Sequence, residues 1–413
     1  MSHRTSPPAR VFLDLTHVGR HVTGIERIAI EQFEKVAFEG AELQPVRARG
    51  VASMIFKQQI VLPLLALIHP RARFVFPGFP PSPLFAFFPN RVTLYVHDMF
   101  LLTRRCDLST KARLYMAPQF RLAVRSLRHF FVNSEKTAAE LKHYVRGDAD
   151  IRLYRPSVAN HFKLDAANRS LKPARPSPLK LVSLGTVEPR KNYQAAVAVL
   201  DSIRARLDAA AELHIIGRDG WGDAGVAIAS HPGVVVHGYL PADGVKRVLE
   251  AADVYLCTSH DEGLGLPLLE AQFAGLPIVV PDKPVFREVL AGSGTFIQPR
   301  RADATADAIR DLIAPPNWRG QQAIAATSNI QRWNAVAGMI SRPHGRHFQM
   351  RPASIPRAKL QSRGTSRAHV REASHSASST RWPYGRPWHR FDAGTQSVRD
   401  GNRHKALACR DCR

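Results

Sequence analysis

Along the first 340 positions, short apolar runs alternate with stretches of helical periodicity. Residues 11–15 read as a strand, followed by a glycine-containing loop over 17–24 and an amphipathic helix over 25–38. Further strands are expected at 43–47, 74–76, 92–97, 130–133 and 151–154. Ser109 or Thr110 can cap a helix running to about residue 128, and Ser134 one running to about residue 145. The pattern then breaks at 165–178, where Pro173, Pro176 and Pro178 resist helix and sheet alike. It restarts with strands at 179–184, 212–216, 234–237, 254–258 and 278–280, and helices at 192–207, 243–251 and 267–274. Strands separated by helices imply βαβ units and parallel sheets.

This alternation gives an α/β chain of two Rossmann-like domains. The expected divisions are an N-terminal domain over 1–164, a linker over 165–178 and a C-terminal domain over 179–328. A candidate helix over 329–341 follows, and residues 342–413 form a tail. Open α/β sheets bind ligands beyond the carboxyl ends of their strands, so two of them place a cleft between the domains.

Composition changes this picture at one end only. The 413 residues carry 58 Lys and Arg against 34 Asp and Glu, a formal charge of +24. Half of the excess lies in residues 342–413, with 16 basic and 4 acidic residues, few aliphatics and runs of Arg, Ser, Pro and His. Such a segment buries too little apolar surface to offset its ordering entropy and is expected to be disordered. A shifted reading frame would produce a tail of this kind. With 45% hydrophobic residues the remainder is ordinary for a globular protein. The four cysteines form no disulfide framework, and the polar first ten residues do not resemble a signal peptide. The longest apolar run, 60–68, is too short to span a bilayer and contains Pro63. A cytoplasmic protein is expected.

Two stretches carry the chemistry. Asp261-Glu262-Gly263-Leu264-Gly265-Leu266-Pro267-Leu268-Leu269-Glu270 follows a strand and opens a helix, where backbone N–H groups point at an anion. Gly263 and Gly265 let the backbone approach a ligand, and the carboxylates of Glu262 and Glu270 suit sugar hydroxyls. A cap at Glu262 and a solvated Glu270 would explain the same pattern. In Gly185-Thr186-Val187-Glu188-Pro189-Arg190-Lys191-Asn192, two cations open a helix against its dipole, a conflict that a bound diphosphate would remove. An exposed basic pair is the alternative.

Together these stretches resemble the E-G-x-G-x-P-x-x-E and G-x-x-x-x-R-K-N motifs of retaining glycosyltransferases of the GT-B fold, in particular glycosyltransferase family 4. The likeness covers roughly residues 10–340 and implies that the helix over 329–341, anchored by Trp333, crosses back onto the first domain. It implies that Arg190 and Lys191 bind the donor diphosphate and that Glu262 holds the transferred sugar, with the N–H groups of Gly263 and Leu264 beside it. It also implies that Glu270 binds the nucleotide ribose. His97-Asp98 resembles the pair that places a histidine near the donor sugar. Thr23-Gly24-Ile25-Glu26-Arg27 resembles the first-domain glycine loop, with Gly24 near the diphosphate.

The function so implied is transfer of a sugar from a nucleotide-diphosphate donor to an acceptor hydroxyl with retention, in bacterial surface polysaccharide or glycolipid synthesis. The donor is a substrate; no cofactor and no metal are expected. Asp148-Ala149-Asp150 looks like a metal-binding D-x-D but lies in a polar turn and reads as surface. Six phenylalanines between Phe74 and Phe88 read mainly as strand and core packing, with 80–89 left to touch a membrane or a lipid-linked acceptor. A peripheral position at the inner face of the cell membrane is the corresponding expectation. A weak or inactive sugar-nucleotide-binding protein, and a nucleic-acid binder acting through the tail, are the rival readings; the core shows no motif for specific nucleic acid.

Overall fold

A computed structural model describes residues 9–19, 24–38, 41–167, 169–207, 209–220, 224–339 and 350–352. Two parallel six-stranded sheets dominate it. The first is built from β1 (Ala9–Leu15), β3 (Ala41–Arg47), β4 (Arg73–Phe76), β5 (Val92–Val96), β6 (His129–Val132) and β7 (Asp150–Leu153), in the order β3-β1-β4-β5-β6-β7. The second uses β8 (Leu179–Leu184), β9 (Ala211–Ile216), β10 (Val234–Gly238), β11 (Val254–Leu256), β12 (Ile278–Pro281) and β13 (Gly294–Ile297), ordered β10-β9-β8-β11-β12-β13. Both orders reverse beside the first strand of the sheet, between β1 and β4 and between β8 and β11. That is where a crevice opens at the carboxyl ends of the strands.

Each half has its own core on both sheet faces. In the first, Phe74, Phe76 and Phe85 pack with Val92, Leu94 and Phe130. In the second, Leu181, Val199, Leu213 and Ile215 pack on one side, and Val182, Leu269, Phe286 and Trp333 on the other. Continuous apolar strands such as β5, buried at all of its positions, are what a sheet covered on both faces requires. Ser134 caps the helix Glu135–Lys142 by accepting from the Thr137 N–H at 3.1 Å, and Ser109 accepts from Ala112 N–H at the start of a helix over 110–126.

Several expectations are corrected. The helix expected over 25–38 is helical only over 24–34, and Val36–Phe38 is a strand (β2). The run at 60–68 is the end of a continuous helix, Val51–Ile68, whose 18 residues are long and apolar enough by length and composition to cross a membrane. The expected helix over 329–341 is the last part of one that starts at Trp318 and ends at Val336. Its Trp333 is fully buried and donates from Nε1 to Pro156 O at 2.9 Å. Of the tail, only Met350–Pro352 is described; it forms β14, antiparallel to β2. The rest of 342–413 lies outside the described residues, as does Thr23 of the first glycine loop.

Candidate active site

The loops after β8 and β11 stand side by side at the reversal point of the second sheet and interlock. Asn192 takes a left-handed conformation (φ 52°) and donates to Thr258 O at 3.2 Å, while Thr258 Oγ1 donates back to Asn192 O at 2.9 Å. Arg190 and Lys191 lie in a 3-10 turn, Pro189–Lys191, and the helix proper begins at Tyr193. The expected clash of two cations with the first turn of a helix is therefore absent. Their counter-ion within the protein is Glu262: Lys191 Nζ lies 2.6 Å from Oε1 and Arg190 Nη1 2.7 Å from Oε2. Ser259 Oγ also donates to Oε1 at 2.9 Å, and Arg190 pairs with Glu188.

These contacts set the protonation states. Burial pushes the Glu262 carboxyl up, but Lys191 and Arg190 outweigh it and hold the group down to about 2. Burial alone would lower Arg190, yet Glu262 and Glu188 keep its guanidinium above the ordinary value. The site is thus a charged cluster at neutral pH, with each ion neutralised by another.

The first half meets this cluster with His97 and Asp98, just beyond β5. Gly263 lies so close that a Cβ there would stand 2.1 Å from His97 O and 2.9 Å from the Asp98 Cβ. No other residue fits, which gives this glycine of the motif a steric role between the halves. Ser134 Oγ donates to Gly263 O at 2.7 Å, and Lys136 holds Asp261 at 2.9 Å. Leu264 is buried in the core of the second half. His97 Nε2 lies 2.7 Å from Pro77 O, and since a carbonyl only accepts, Nε2 carries the proton. Burial lowers His97 to about 4, so the ring is neutral at pH 7. Burial raises Asp98 to about 6, against the lowering effect of the Phe100 N–H and of Arg190.

Glu270, on the helix Leu266–Gln272, is buried and not solvated; its Oε1 pairs with Arg27 of the first half at 2.5 Å. Its Oε2 is buried with no hydrogen-bond partner among the described residues. A cavity of about 540 Å³ separates the halves here, lined by Gly24, Arg27, Gly185, Arg190, Lys191 and Glu270. A second, of about 270 Å³, lies on the side of the first half against His97, Asp98, Phe79, Phe100 and Met116. Glu188 and Arg190 line both. Of the eight residues expected from the sequence, Gly24, Arg190, Lys191 and Glu270 line the larger cavity and His97 and Arg190 the smaller, while Glu262, Gly263 and Leu264 lie on the loop after β11, outside both linings. Sequence reasoning gave no role to Arg27, Asp98 or Glu188, although each stands within three residues of one that it did assign. Asp148 is held by Arg128 and Arg146 at 3.1 and 3.0 Å, and Asp150 by Arg152 at 2.7 Å, so this D-x-D is an arginine-paired turn.

Two Rossmann-like parallel sheets with their strand ends turned to a shared crevice define the GT-B fold. Sucrose-phosphate synthase from Thermosynechococcus elongatus shares it, with a TM-score of 0.58 at 14% identity over 79% of this chain and 96% of that one. Residues 167–328 match the family described as glycosyl transferases group 1. Among curated relatives, O-antigen chain mannosyltransferase B of Escherichia coli is 28% identical over 141 residues, 33% of this chain and 37% of that one. A GDP-mannose-dependent alpha-(1-6)-phosphatidylinositol monomannoside mannosyltransferase of Mycobacterium tuberculosis (strain ATCC 25618 / H37Rv) is 30% identical over 227 residues, 51% of this chain and 57% of that one. The matches thus span 37% and 57% of the lengths of these two relatives.

Proposed function

We propose that the protein transfers a sugar from a nucleotide-diphosphate donor to an acceptor hydroxyl, with retention of the anomeric configuration. The observation that carries this reading is the pair of cavities meeting at Glu188 and Arg190, with the Arg190–Glu262–Lys191 cluster beside their junction. The larger cavity has the size of a small-molecule site and would take the donor. The smaller, walled by His97 and Asp98, would take the acceptor end.

In this reading, Arg190 and Lys191 exchange Glu262 for the diphosphate and stabilise the charge that grows on it as the glycosidic bond breaks. Glu262, released from two cations, accepts hydrogen bonds from hydroxyls of the sugar, with the Gly263 and Leu264 N–H groups beside it. The donor's ribose offers the Glu270 Oε2 the hydrogen bond it lacks, and Gly24 lets the first-half loop approach the diphosphate. Neutral His97 orients the sugar; it is no nucleophile. The acceptor proton passes to the departing phosphate on the same face, so no carboxylate pair of the glycosidase kind is needed. Neither a cofactor nor a metal ion has a part in this scheme. The mannosyltransferases among the relatives make GDP-mannose the first donor to try and a surface glycolipid or polysaccharide the acceptor class, with the enzyme working at the inner face of the cell membrane.

Thermal unfolding of the full chain with GDP, UDP or ADP, with and without magnesium, tests the donor site. A ligand that binds only the folded state raises Tm by mass action. GDP should raise it without magnesium, and the Arg190→Ala/Lys191→Ala variant should lose the shift. No shift with any nucleotide in a cooperatively folded sample would overturn the donor site. Retention is read from the one-bond carbon–proton coupling at the anomeric centre of the first product, because the H1–H2 coupling is small in both anomers of a mannoside.

A further inference from the structure

The helix Val51–Ile68 lies on the first half with two unlike faces. Met54, Gln58, Leu62 and Ala66, spaced by four, are buried. Gln58 Nε2 donates to the buried Asp14 Oδ2 at 2.9 Å, which ties the helix to the end of β1. On the other side, Phe56, Ile60, Leu64 and Leu67 form a stripe at helical spacing, exposed by 58, 52, 51 and 66%. The helix 110–126 lies alongside, joined by Gln59 Nε2 to Tyr115 OH at 3.2 Å, and adds Leu114 and Leu122, 71 and 39% exposed. An apolar surface of this extent calls for a partner.

Charge says which partner. Residues 43–134 hold 13 Lys and Arg against two acidic residues, Asp98 and Asp107. Asp98 lines the inter-half cavity and Asp107 pairs with Arg104, so neither offsets the surface. Lys111, Arg113, Arg121 and Arg125 are exposed on the same helix as Leu114 and Leu122. Two copies of this face would repel, whereas a negatively charged lipid surface meets both its stripe and its rim.

We propose that this face, from Val51–Ile68 to helix 110–126, docks the protein on a bilayer of anionic lipid. It replaces the expected 80–89 segment as the main contact; of that segment only Leu84 and Phe87 are large exposed apolar residues. The contact is peripheral. A spanning helix would have to pull Gln58 and its partner Asp14 out of the domain, and one side of Val51–Ile68 is already core. Because Ala112, Met116 and Phe120 of the second helix line the smaller cavity, docking would set that cavity one helix away from the lipid.

Co-sedimentation of the full chain with vesicles of equal parts phosphatidylglycerol and phosphatidylcholine, against phosphatidylcholine alone, tests the proposal. The chain should pellet with the anionic vesicles and weakly with the neutral ones. Phe56→Ser/Leu64→Ser and, separately, Arg121→Glu/Arg125→Glu should each weaken binding by at least about tenfold. The far-ultraviolet spectrum and Tm of the variants should match the parent, since all four side chains are on the surface; should one variant fail to fold, the other carries the test. Anionic binding that survives both changes would place the contact in the basic residues of 342–413 and overturn the proposal. So would a parent that ignores vesicles, whether as a monomer or as a dimer that Phe56→Ser/Leu64→Ser splits, the latter making a second copy the occupant.

Discussion

His97 and Asp98 are neighbours in sequence with opposite titration behaviour. Burial disfavours the charged form of both, which lowers a histidine and raises a carboxyl. The consequences for stability oppose each other in one pH window. Between pH 4 and 6.5 the unfolded His97 binds a proton that the folded one refuses, so its share of stability grows as pH rises. Between about 3.8 and 6 the folded Asp98 keeps a proton that the unfolded one has lost, so its share falls as pH rises. Each effect is on the order of 3 kcal/mol, and together they flatten the profile of the parent. Asp98→Asn should therefore steepen the gain in urea midpoint from pH 4.5 to 6, and His97→Gln should reduce it. If both variants keep the parental slope, these side chains are hydrated in solution and the cavity they line is wetter than its walls suggest. Glu262 belongs to a lower window: its stabilising share is present above pH 4.5 and is lost as pH falls toward 2.

At the scale of elements, the helix Trp318–Val336 depends on its last turns. Trp333 is fully buried, donates to Pro156 O and lies under the Arg155 guanidinium, 5.8 Å from the ring centroid. Asn334 exchanges two hydrogen bonds of 2.9 Å with the backbone of Val158. Trp333→Ala should lower Tm by roughly 10 °C, the cost of an indole-sized cavity, while Trp333→Phe keeps most of the packing and should lose less than half of that. Equal losses would mean that the Nε1 hydrogen bond, and not ring volume, holds the helix end. Trp333 was legible as an anchor only through the resemblance, which implies a last helix that crosses back onto the first domain; the helix start at Trp318 was not. Eleven of the twelve strands of the two sheets were legible to within a few residues, since continuous apolar runs between turn signals leave few alternatives; the edge strand β13, four residues directly after a Gly-Ser pair, was not. Val51–Ile68 was hidden because Lys57, Gln58 and Gln59 interrupt its apolar periodicity, and only the fold reveals that Gln58 has a buried partner. In the site, the motif glycines and charged residues were legible by spacing, but the pairing of Arg27 with Glu270 joins elements 243 positions apart and leaves no local signal.

The whole molecule is two cores joined chiefly through polar contacts. The buried clusters of the two halves are distinct, with Leu266 reaching the first and the Arg190 guanidinium 4.9 Å from the Phe100 ring centroid. Further links among the described residues are Ser134 to Gly263, Lys136 to Asp261, Arg27 to Glu270, Glu288 to both Arg155 and the Glu135 N–H, and the contacts of Trp333 and Asn334 with Pro156 and Val158. Paired charges this well shielded from water contribute little beyond what their desolvation costs, but removing Lys136 leaves Asp261 without its cation, and removing Glu288 leaves Arg155 with Glu135 of its own half alone. Lys136→Ala/Glu288→Ala should therefore weaken the coupling between halves more than it weakens either core, and both residues lie outside the larger cavity. Calorimetry of the parent should show one transition. The double variant should show two, separated by several degrees, at about 2–4 °C per kcal/mol of lost coupling for halves of this size. A nucleotide that fills the 540 Å³ cavity touches residues of both halves, such as Arg27 and Lys191, and should bring the two transitions back together. A double variant that still melts in one step at the parental temperature would show that the remaining contacts, Leu266, the fit of Gly263 against His97, the Arg27–Glu270 pair and the end of the last helix, hold the halves without help from Lys136 and Glu288.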